Sequence, residues 1–550
     1  MKKHAVPQKF SGKAEGRMSP NNTHRRDPMQ IFHNATVYTG DGFTDAFAVE
    51  KGRFVAIGAE ALAQEGPRID LGGAFVCAGF NDSHMHLLNY GRTLHMAPLE
   101  SHTGSLAQML LCLKNAAPTR GWILGRGWNQ DRFSDVHRMP HRQDLDTVST
   151  QLPVCAVRAC GHALAVNSKA MEVLGITAET PSPHGGRIDY ENGRFFDNAM
   201  ELVLNAIPAP DKQTLKRYIR AACQDLNRRG ITSCHSDDYC VFRTLPWQTV
   251  NEAYRELEAE GTLTLRVREQ CNLTTLPALT EFLRTDFPAS DRFRMGPLKL
   301  LGDGALGART AFLSRPYADE PGTRGLSVFT GAQFDQLIGT AHRSGMQVAV
   351  HCIGDACLDL VLDAIEKAQA AYPRTDARHG IVHCQITRPD QLARIAKGKL
   401  HVYAQSIFLD YDIHIVRERA GDTLAATSYS WKTLLKLGAT VSNGSDCPVE
   451  APNVLAGIQC AVTRQDLAGC APYLPREAFS VKEAIDSFTQ AGAFAGFEEH
   501  TKGRIAPGHW ADFVVLGENP FQTAPARIRD IPILQTWLEG EPVWQRQTAL

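Results

Sequence analysis

Long apolar runs are missing from this 550-residue chain. No stretch approaches the roughly 18 consecutive apolar residues of a membrane-spanning helix, so the sequence predicts no membrane anchor. Residues 1–28 are polar and basic and lack the apolar centre of a secretory signal. We interpret them as a disordered extension, or as the result of a mis-assigned start codon with Met29 as the true start. A transit peptide is the remaining alternative.

An excess of charge of either sign is also missing. Lys and Arg together number 58 and Asp and Glu 59, which gives no reason to expect nucleic acid or an anionic membrane as a partner. The 14 cysteines occur singly, without a CxxC pair, and this is not the pattern of a disulfide framework. A reducing compartment is favoured, so we expect the protein in the cytoplasm.

The middle of the chain alternates strand-like with helix-like segments. Eight strand-like segments occur at 74–84, 230–236, 263–270, 296–303, 347–351, 380–383, 400–406 and 439–446. Helical patterns follow most of them, and between 358 and 368 apolar residues recur at helical spacing. Eight strands alternating with helices predict an α/β fold, a closed parallel (β/α)8 barrel of the TIM type.

Both ends of the chain carry short strand patterns separated by turns. Residues 29–78 and 503–550 are therefore predicted to form one small β-sandwich domain, with the barrel between them over 79–502. The first two barrel strands are separated by far more than one helix. This predicts an inserted subdomain at about 100–228.

Candidate metal ligands occur where the predicted strands end. His84 and His86 point to the same side of the first strand because side chains alternate along a strand. The other candidates lie on later strands: Lys299 on the fourth, and His351, His383 and Asp446 at the ends of the fifth, sixth and eighth. Active sites of barrel enzymes lie at the C-terminal ends of the strands, and the spacing of these residues fits one or two strand–helix units. The pattern therefore predicts one shared metal site.

Several longer motifs resemble the amidohydrolase superfamily, in particular its amidohydrolase-3 or YtcJ-like branch. The motifs are LKLLGDGALGARTA (298–311), GHALAVNSKA (161–170), VAVHCIGD (348–355), SNGSDCPVE (442–450) and GRIAPGHWADFVVL (503–516). The resemblance extends over roughly residues 30 to 545. It implies a barrel hydrolase that uses a divalent metal, with zinc as the first expectation.

The resemblance also implies how the ligands divide. His84, His86 and Asp446 would hold one ion, and His351 and His383 a second. Lys299 carboxylated by CO2 would bridge two ions, because a free ammonium has only donors. The alternative is an ordinary lysine paired with Asp303 and a site for one metal. A metal-bound hydroxide would attack an amide-like carbonyl, and Asp446 would carry the proton to the leaving nitrogen.

Further residues are candidates for supporting roles. Asp82, Asp303 and Asp355 lie near ligands in the sequence and are expected to orient imidazole N–H groups, although Asp355 suits a helix N-cap equally well. We predict substrate contacts from the inserted subdomain and from the segment after the fourth strand: His162, Trp128, Arg309 and Thr310. The alternative for Trp128 is the core of the subdomain itself.

The leading hypothesis for function is hydrolysis of a C–N bond in a small amide-like molecule. The family includes deformylases of N-substituted formamides, and such a substrate is the specific expectation. A deaminase or cyclic amide hydrolase on the same scaffold is the alternative, and deaminases of the superfamily generally use one metal without the carboxylated lysine. A non-catalytic metal-binding barrel is the remote alternative, because all six ligand positions are filled. The sequence is compatible with a homodimer.

Overall fold

The computed structural model describes residues 29–547, except 103, 160, 162, 184, 185 and 243. The predicted N-terminal extension lies outside the described residues. The chain divides into two compact units. The first comprises the described residues up to Leu87 together with Cys223–Asp238 and the residues from Glu258 onwards, and the second comprises Leu88–Ala222 and Tyr239–Leu257.

The first unit contains an eight-stranded sheet in which the strands follow one another in chain order. The strands are β1 (Phe80–Met85), β2 (Ile231–Ser236), β3 (Arg266–Asn272), β4 (Phe293–Leu301), β5 (Val348–Cys352), β6 (Gly380–His383), β7 (His401–Ala404) and β8 (Thr440–Asn443). All neighbouring strands run parallel. The predicted TIM-like barrel is thereby confirmed.

Helices lie before, between and after these strands. Those of the first unit are Ala59–Leu62, Leu276–Arg284, Gly331–Arg343, Asp355–Ala371, Pro389–Lys397, Leu409–Asp412, Val416–Ala425, Trp431–Lys436, Val454–Thr463, Val481–Ser487 and Gln490–Ala495. Leu87–Thr93, Lys212–Arg228 and Trp247–Ala259 cross the unit boundaries along the chain. In the part of the chain that the structure describes, no helix is both long and apolar enough to cross a membrane.

The helix Asp355–Ala371 shows why these segments are helical. Its buried residues include Leu358, Val361, Leu362 and Ile365, the stripe that the sequence predicts to face the core. Gly354 is the N-cap and Asp355 the first helical residue. The alternative of Asp355 as the N-cap is therefore wrong.

The two chain ends form two further sheets. One contains Gln30–His33, Phe47–Glu50, Arg53–Ile57 and Arg68–Asp70, and the other Thr36–Tyr38, Phe43–Thr44, Phe75–Ala78, Phe513–Leu516, Ile533–Leu538 and Glu541–Gln545. Aromatic side chains pack between them. The ring centroids of Phe32 and Phe513 lie 5.2 Å apart, and Phe513 stacks on Trp537 at 5.3 Å.

The segment 74–84, predicted as one barrel strand, is divided at Gly79. The Gly79 N–H donates to Asp512 beside the terminal sheet, whereas the Phe80 N–H donates to Gly230 at the start of β2. A Cβ atom on Gly79 would lie 2.2 Å from Thr232 Oγ1. Only glycine permits this close approach, so the chain leaves one sheet and enters the next within a single residue.

The second unit is built around a six-stranded sheet. Its strands are Ala97–Pro98, Ile123–Trp128, Val154–Arg158, Ala163–Val166, Gly186–Asp189 and Arg194–Asp197. Its helices include Leu106–Lys114, Arg142–Asp146, Ser168–Leu174 and Met200–Leu204. The insertion was predicted at about 100–228, whereas the unit begins at Leu88 and also takes in Tyr239–Leu257.

Strands β1 and β8 are the two ends of the barrel sheet and meet through side chains. Ser83 Oγ donates to the Asn443 carbonyl at 2.9 Å, and Ser442 Oγ donates to Ser83 Oγ at 2.7 Å. The carboxylate of Asp82 accepts hydrogen bonds from the backbone N–H and the hydroxyl of Ser445. Burial raises the pKa of Asp82 to about 7. These bonds bring the ends of β1 and β8 together.

The contact between β1 and β8 is the seam of the barrel. A pair of buried histidines lies elsewhere in the first unit. The Val348 N–H donates to His379 Nδ1, so His379 Nε2 carries the hydrogen and donates to His342 Nδ1 at 2.8 Å. His342 Nε2 in turn donates to the Tyr372 carbonyl. Burial lowers the pKa of His379 to about 3 and also lowers the pKa of His342. Both imidazoles are neutral in the folded protein.

This pair should make the protein less stable in mild acid. The unfolded chain binds a proton near pH 6.5 and the folded chain does not, so stability is complete above that pH and falls as the pH is lowered. For His379 the expected loss is about 1.4 kcal/mol between pH 7.5 and pH 5.5. Urea unfolding at several pH values should show a flatter dependence for His379→Gln. The control is His500→Gln, at a side chain 92% exposed. If the free energy of unfolding of both variants depended on pH with the same slope, the assignment of His379 as a buried neutral imidazole would be contradicted.

Candidate metal centre

Five of the predicted ligands converge at the C-terminal end of the barrel strands. Asp446 Oδ1 lies 3.3 Å from His84 Nε2 and 3.1 Å from His86 Nε2. His383 Nε2 lies 4.0 Å from Asp446 Oδ2 and 2.9 Å from His351 Nδ1. Ligand atoms of His84, His383 and Asp446 all lie within 4.8 Å of one another. The arrangement is compact enough to hold metal ions.

Oxygen acceptors fix the opposite nitrogen of each imidazole. The contacts are His84 Nδ1 to Gln270 Oε1 at 2.7 Å, His86 Nδ1 to the Asp237 carbonyl at 2.8 Å, His383 Nδ1 to Gln405 Oε1 at 2.7 Å, and His351 Nε2 to the Gly304 carbonyl at 3.1 Å. A carbonyl oxygen only accepts, so each of these nitrogens carries the hydrogen. The remaining nitrogens present electron pairs to one another and to Asp446.

The electrostatics of the site match this reading. Burial and the nearby charge of Lys299 lower the pKa of His84, and lower that of His351 to about 3. Burial and the neighbouring His351 hold the pKa of His383 well below its usual value. Burial raises the pKa of Asp446, but the neighbouring imidazoles of His84, His86 and His383 together outweigh burial and hold the pKa well below the usual range.

The donor set therefore fits a metal. Electron pairs on neutral nitrogens and on a carboxylate repel one another at about 3 Å unless a cation lies between them. Asp446 Oδ1 also receives no hydrogen bond of normal geometry within the described residues. Imidazole and carboxylate ligands suit zinc and other divalent transition metals.

Lys299 lies at the same end of the barrel and is fully buried. Its Nζ is 3.7 Å from Asp237 Oδ2 and has no hydrogen-bond partner among the described residues. For an ordinary lysine we expected a pairing with Asp303, but the Asp303 carboxylate accepts N–H groups from Phe312, Ile353 and Gly354. An ordinary lysine would therefore face Asp237, not Asp303. A buried ammonium without hydrogen bonds is unfavourable.

Comparison with known proteins decides the family. A model of the amidohydrolase family matches residues 68–544 of this chain. The chain belongs to the amidohydrolase family. The putative amidohydrolase YtcJ of Bacillus subtilis is 33% identical, with 94% of this chain and 99% of that protein covered.

Two further amidohydrolase relatives bear on function. The N-substituted formamide deformylase of Arthrobacter pascens is 26% identical, with 95% of this chain and 99% of that protein covered. The crystal structure of an uncharacterized metal-dependent hydrolase from Pyrococcus horikoshii superposes with a TM-score of 0.78 at 26% identity, covering 90% of this chain and 99% of that structure. Family and neighbours together support hydrolase activity that depends on a metal.

In this amidohydrolase, one of the three aspartates expected to orient an imidazole lies beside one. Asp303 Oδ1 is 3.4 Å from His351 Nε2, and burial raises its pKa to about 7. Asp82 bonds Ser445 and the backbone N–H of His84 instead. Asp355 accepts from the Ser314 N–H and from Arg388. For Asp82 and Asp355 the expectation was wrong, because their carboxylates bond backbone and hydroxyl groups or a guanidinium.

Three residues of the site were missed. Gln270 and Gln405 hold two of the imidazoles, and Asp237 supplies a carbonyl to His86 and a carboxylate near Lys299. Each lies within β3 or directly after β7 or β2. The available signal was the position of each residue near the C-terminal end of a barrel strand, where active sites lie.

The predicted substrate contacts fare differently. Arg309 binds Asp319 at 2.6 Å, and Thr310 Oγ1 accepts the Ala305 N–H at 3.0 Å and so fastens its own loop. Trp128 is 1% exposed, packs in an apolar cluster of the second unit and donates Nε1–H to the Ala156 carbonyl at 2.9 Å. The prediction of Trp128 as a substrate contact is therefore wrong, and the core alternative holds. His162 lies outside the described residues.

Trp128→Phe tests this correction. The change leaves the Ala156 carbonyl without its donor and removes packed volume, so the free energy of unfolding should fall by about 1–3 kcal/mol. The KM of any substrate that the protein hydrolyses should stay unchanged. Urea unfolding and steady-state kinetics measure the two effects. A raised KM with unchanged stability would return Trp128 to the substrate site.

Proposed function

We propose that this protein is a metal-dependent hydrolase that cleaves the C–N bond of a small amide-type substrate. The observation that carries the proposal is the set of imidazole electron pairs facing an ionised Asp446. Each imidazole is oriented by an acceptor on its far side. Such preorganisation is what a metal site requires of its protein.

We assign the ligands in two groups. His84, His86 and Asp446 would hold one ion, and His351 and His383 a second, with zinc the first expectation. Lys299, carboxylated by CO2, would bridge them. Its complete burial and missing hydrogen-bond partner support this assignment. When bound, the metal supplies a strong nucleophile from water at neutral pH and polarises the substrate carbonyl.

The chain's own groups would handle the proton and the substrate. Asp446 is ionised and 7% exposed, so it can accept a proton and return it to the leaving nitrogen, which departs poorly until protonated. The ring of Phe408 lies parallel to His383, with centroids 5.8 Å apart. Phe408 thus offers an apolar wall beside the centre, suited to the organic part of a substrate.

The substrate we propose is an N-substituted formamide or another N-substituted amide. The similarity to the N-substituted formamide deformylase of Arthrobacter pascens supports it. A second candidate is a cyclic amide hydrolase on the same scaffold or a deaminase, which would use one metal. The contact of Lys299 with Asp237 favours that candidate, since a carboxylate neighbour stabilises the free ammonium.

We also propose a cytoplasmic protein whose partners are small molecules, without nucleic acid or membrane. The formal net charge of −1 supports this, as do the free cysteines among the described residues. A homodimer is the assembly to test first, by sedimentation of the full chain.

Metal content decides between the two candidates. Protein purified without chelator or added metal should contain about two zinc ions per chain, as in two-metal sites. Inductively coupled plasma emission spectrometry measures this content. Lys299→Met should reduce this to about one ion. Lys502→Met is the matched control, because Lys502 is also buried but pairs with Glu498. One ion in the unaltered protein would favour the deaminase, and none after zinc is resupplied would overturn the proposal.

Substitution of the ligands tests the assignment itself. His84→Ala, His383→Ala and Asp446→Asn should each reduce turnover of an N-substituted formamide by several orders of magnitude, because the nucleophile depends on these groups. Release of the amine product measures the rate. His500→Ala, at an exposed side chain, should have no effect. Turnover that survives in all three variants would show the site to be wrongly placed.

A further inference from the structure

We infer that Gln270 and Gln405 are positioning residues of the metal centre. They determine which nitrogen of His84 and His383 faces the metal. Because their amides carry no charge, they also leave the bound metal a strong Lewis acid. The inference rests on the proposed function, since it concerns the metal of that site. Both glutamines are completely buried.

The orientation of each amide follows from its second contact. Gln405 Nε2 donates to the Tyr403 carbonyl at 2.9 Å, so Oε1 must be the atom that lies 2.7 Å from His383 Nδ1. Gln270 Nε2 points to the Ser83 carbonyl at 3.4 Å, and its Oε1 lies 2.7 Å from His84 Nδ1. A carbonyl cannot donate, so in both cases the imidazole does. Nε2 is thereby left as the ligand atom.

The two glutamines divide between the two proposed ions. In the first group His84 is held by Gln270, whereas His86 is held by a backbone carbonyl, that of Asp237. In the second group His383 is held by Gln405, and His351 by the Gly304 carbonyl. Each ion would therefore have one imidazole held by a backbone carbonyl, which a substitution does not remove, and one held by a side-chain amide, which a substitution can remove. The Nε2 of Gln405 lies closer to its backbone carbonyl (2.9 Å) than the Nε2 of Gln270 does (3.4 Å). We therefore expect Gln405 to orient its imidazole more strictly.

The neutrality of the two amides has its own consequence. A carboxylate in this position accepts the Nδ1–H hydrogen bond more strongly and makes the imidazole a more electron-rich ligand. A metal bound to such a ligand is a weaker Lewis acid. An amide accepts the same hydrogen bond without adding charge. Asp82, Asp303 and Asp446 already place buried carboxyl groups at this end of the barrel. Further carboxylates at 270 and 405 would add to their mutual repulsion.

The first test reads the imidazoles without any metal or substrate. Nitrogen NMR of the full chain with 15N-labelled histidine, stripped of metal, should show hydrogen on Nδ1 of His84 and His383. Gln405→Leu should shift His383 toward the Nε2–H form and leave His84 unchanged, and Gln270→Leu should do the reverse. Gln459→Leu, at a glutamine only 4% exposed, should change neither. Unchanged tautomers in both variants would overturn the inference.

The second test measures Zn2+ affinity by competition with a coloured chelator. Each leucine variant should weaken binding roughly 10- to 100-fold. Gln405→Glu keeps the acceptor and serves if the leucine variant fails to fold. It should retain Nδ1–H and Zn2+ and move the acidic limb of the pH–kcat profile to higher pH. Unchanged Zn2+ affinity in the leucine variants, or an unmoved limb in Gln405→Glu, would overturn the inference. Tautomers and affinity remain readable even if no amide is hydrolysed, so the two proposals fail separately.

Discussion

Hydrogen bonds between the ends of the first and last barrel strands hold the candidate metal centre together. Asp82 on β1 accepts from Ser445 beyond β8, while the Asp446 N–H donates to the His84 carbonyl at 2.8 Å. The His86 N–H donates in turn to the Cys447 carbonyl at 2.8 Å. The bonds that close the barrel are thus the bonds that bring Asp446 to the two histidines of β1. A barrel open at this seam would have no such centre.

Within the closed barrel, the site depends on a hydrogen bond from one ring nitrogen of each imidazole to an oxygen acceptor. Two carbonyls and two amides accept these hydrogen bonds, and neither kind of group adds a charge. The protein in this way holds electron pairs against one another in a buried space. A cation bound between these electron pairs would relieve their repulsion, which is why the arrangement fits a metal.

The sequence predicted those parts of the site that depend on position along a single strand. His84 and His86 alternate on β1, and His351 and His383 end their own strands, so the period of two and the strand count place them. The parts that depend on register between strands were not predictable. Gln270 meets His84 across 186 residues of sequence, and Trp431 donates to the His383 carbonyl across 48. The segment 74–84 was predicted as a single strand for a similar reason, because its break at Gly79 depends on a close approach to the distant Thr232.

The seam has a consequence for how the protein is made. Ser83 and Asn443, which bond across it, are separated by 360 residues, so the first ligands to be synthesised wait for the last strand before they meet Asp446. A metal ion would then bind the completed barrel and not its precursors. By mass action it would stabilise the finished fold by about 2.7 kcal/mol at a free concentration of 100 times Kd. The supply of metal in the cell would thereby influence how much of the newly made chain survives.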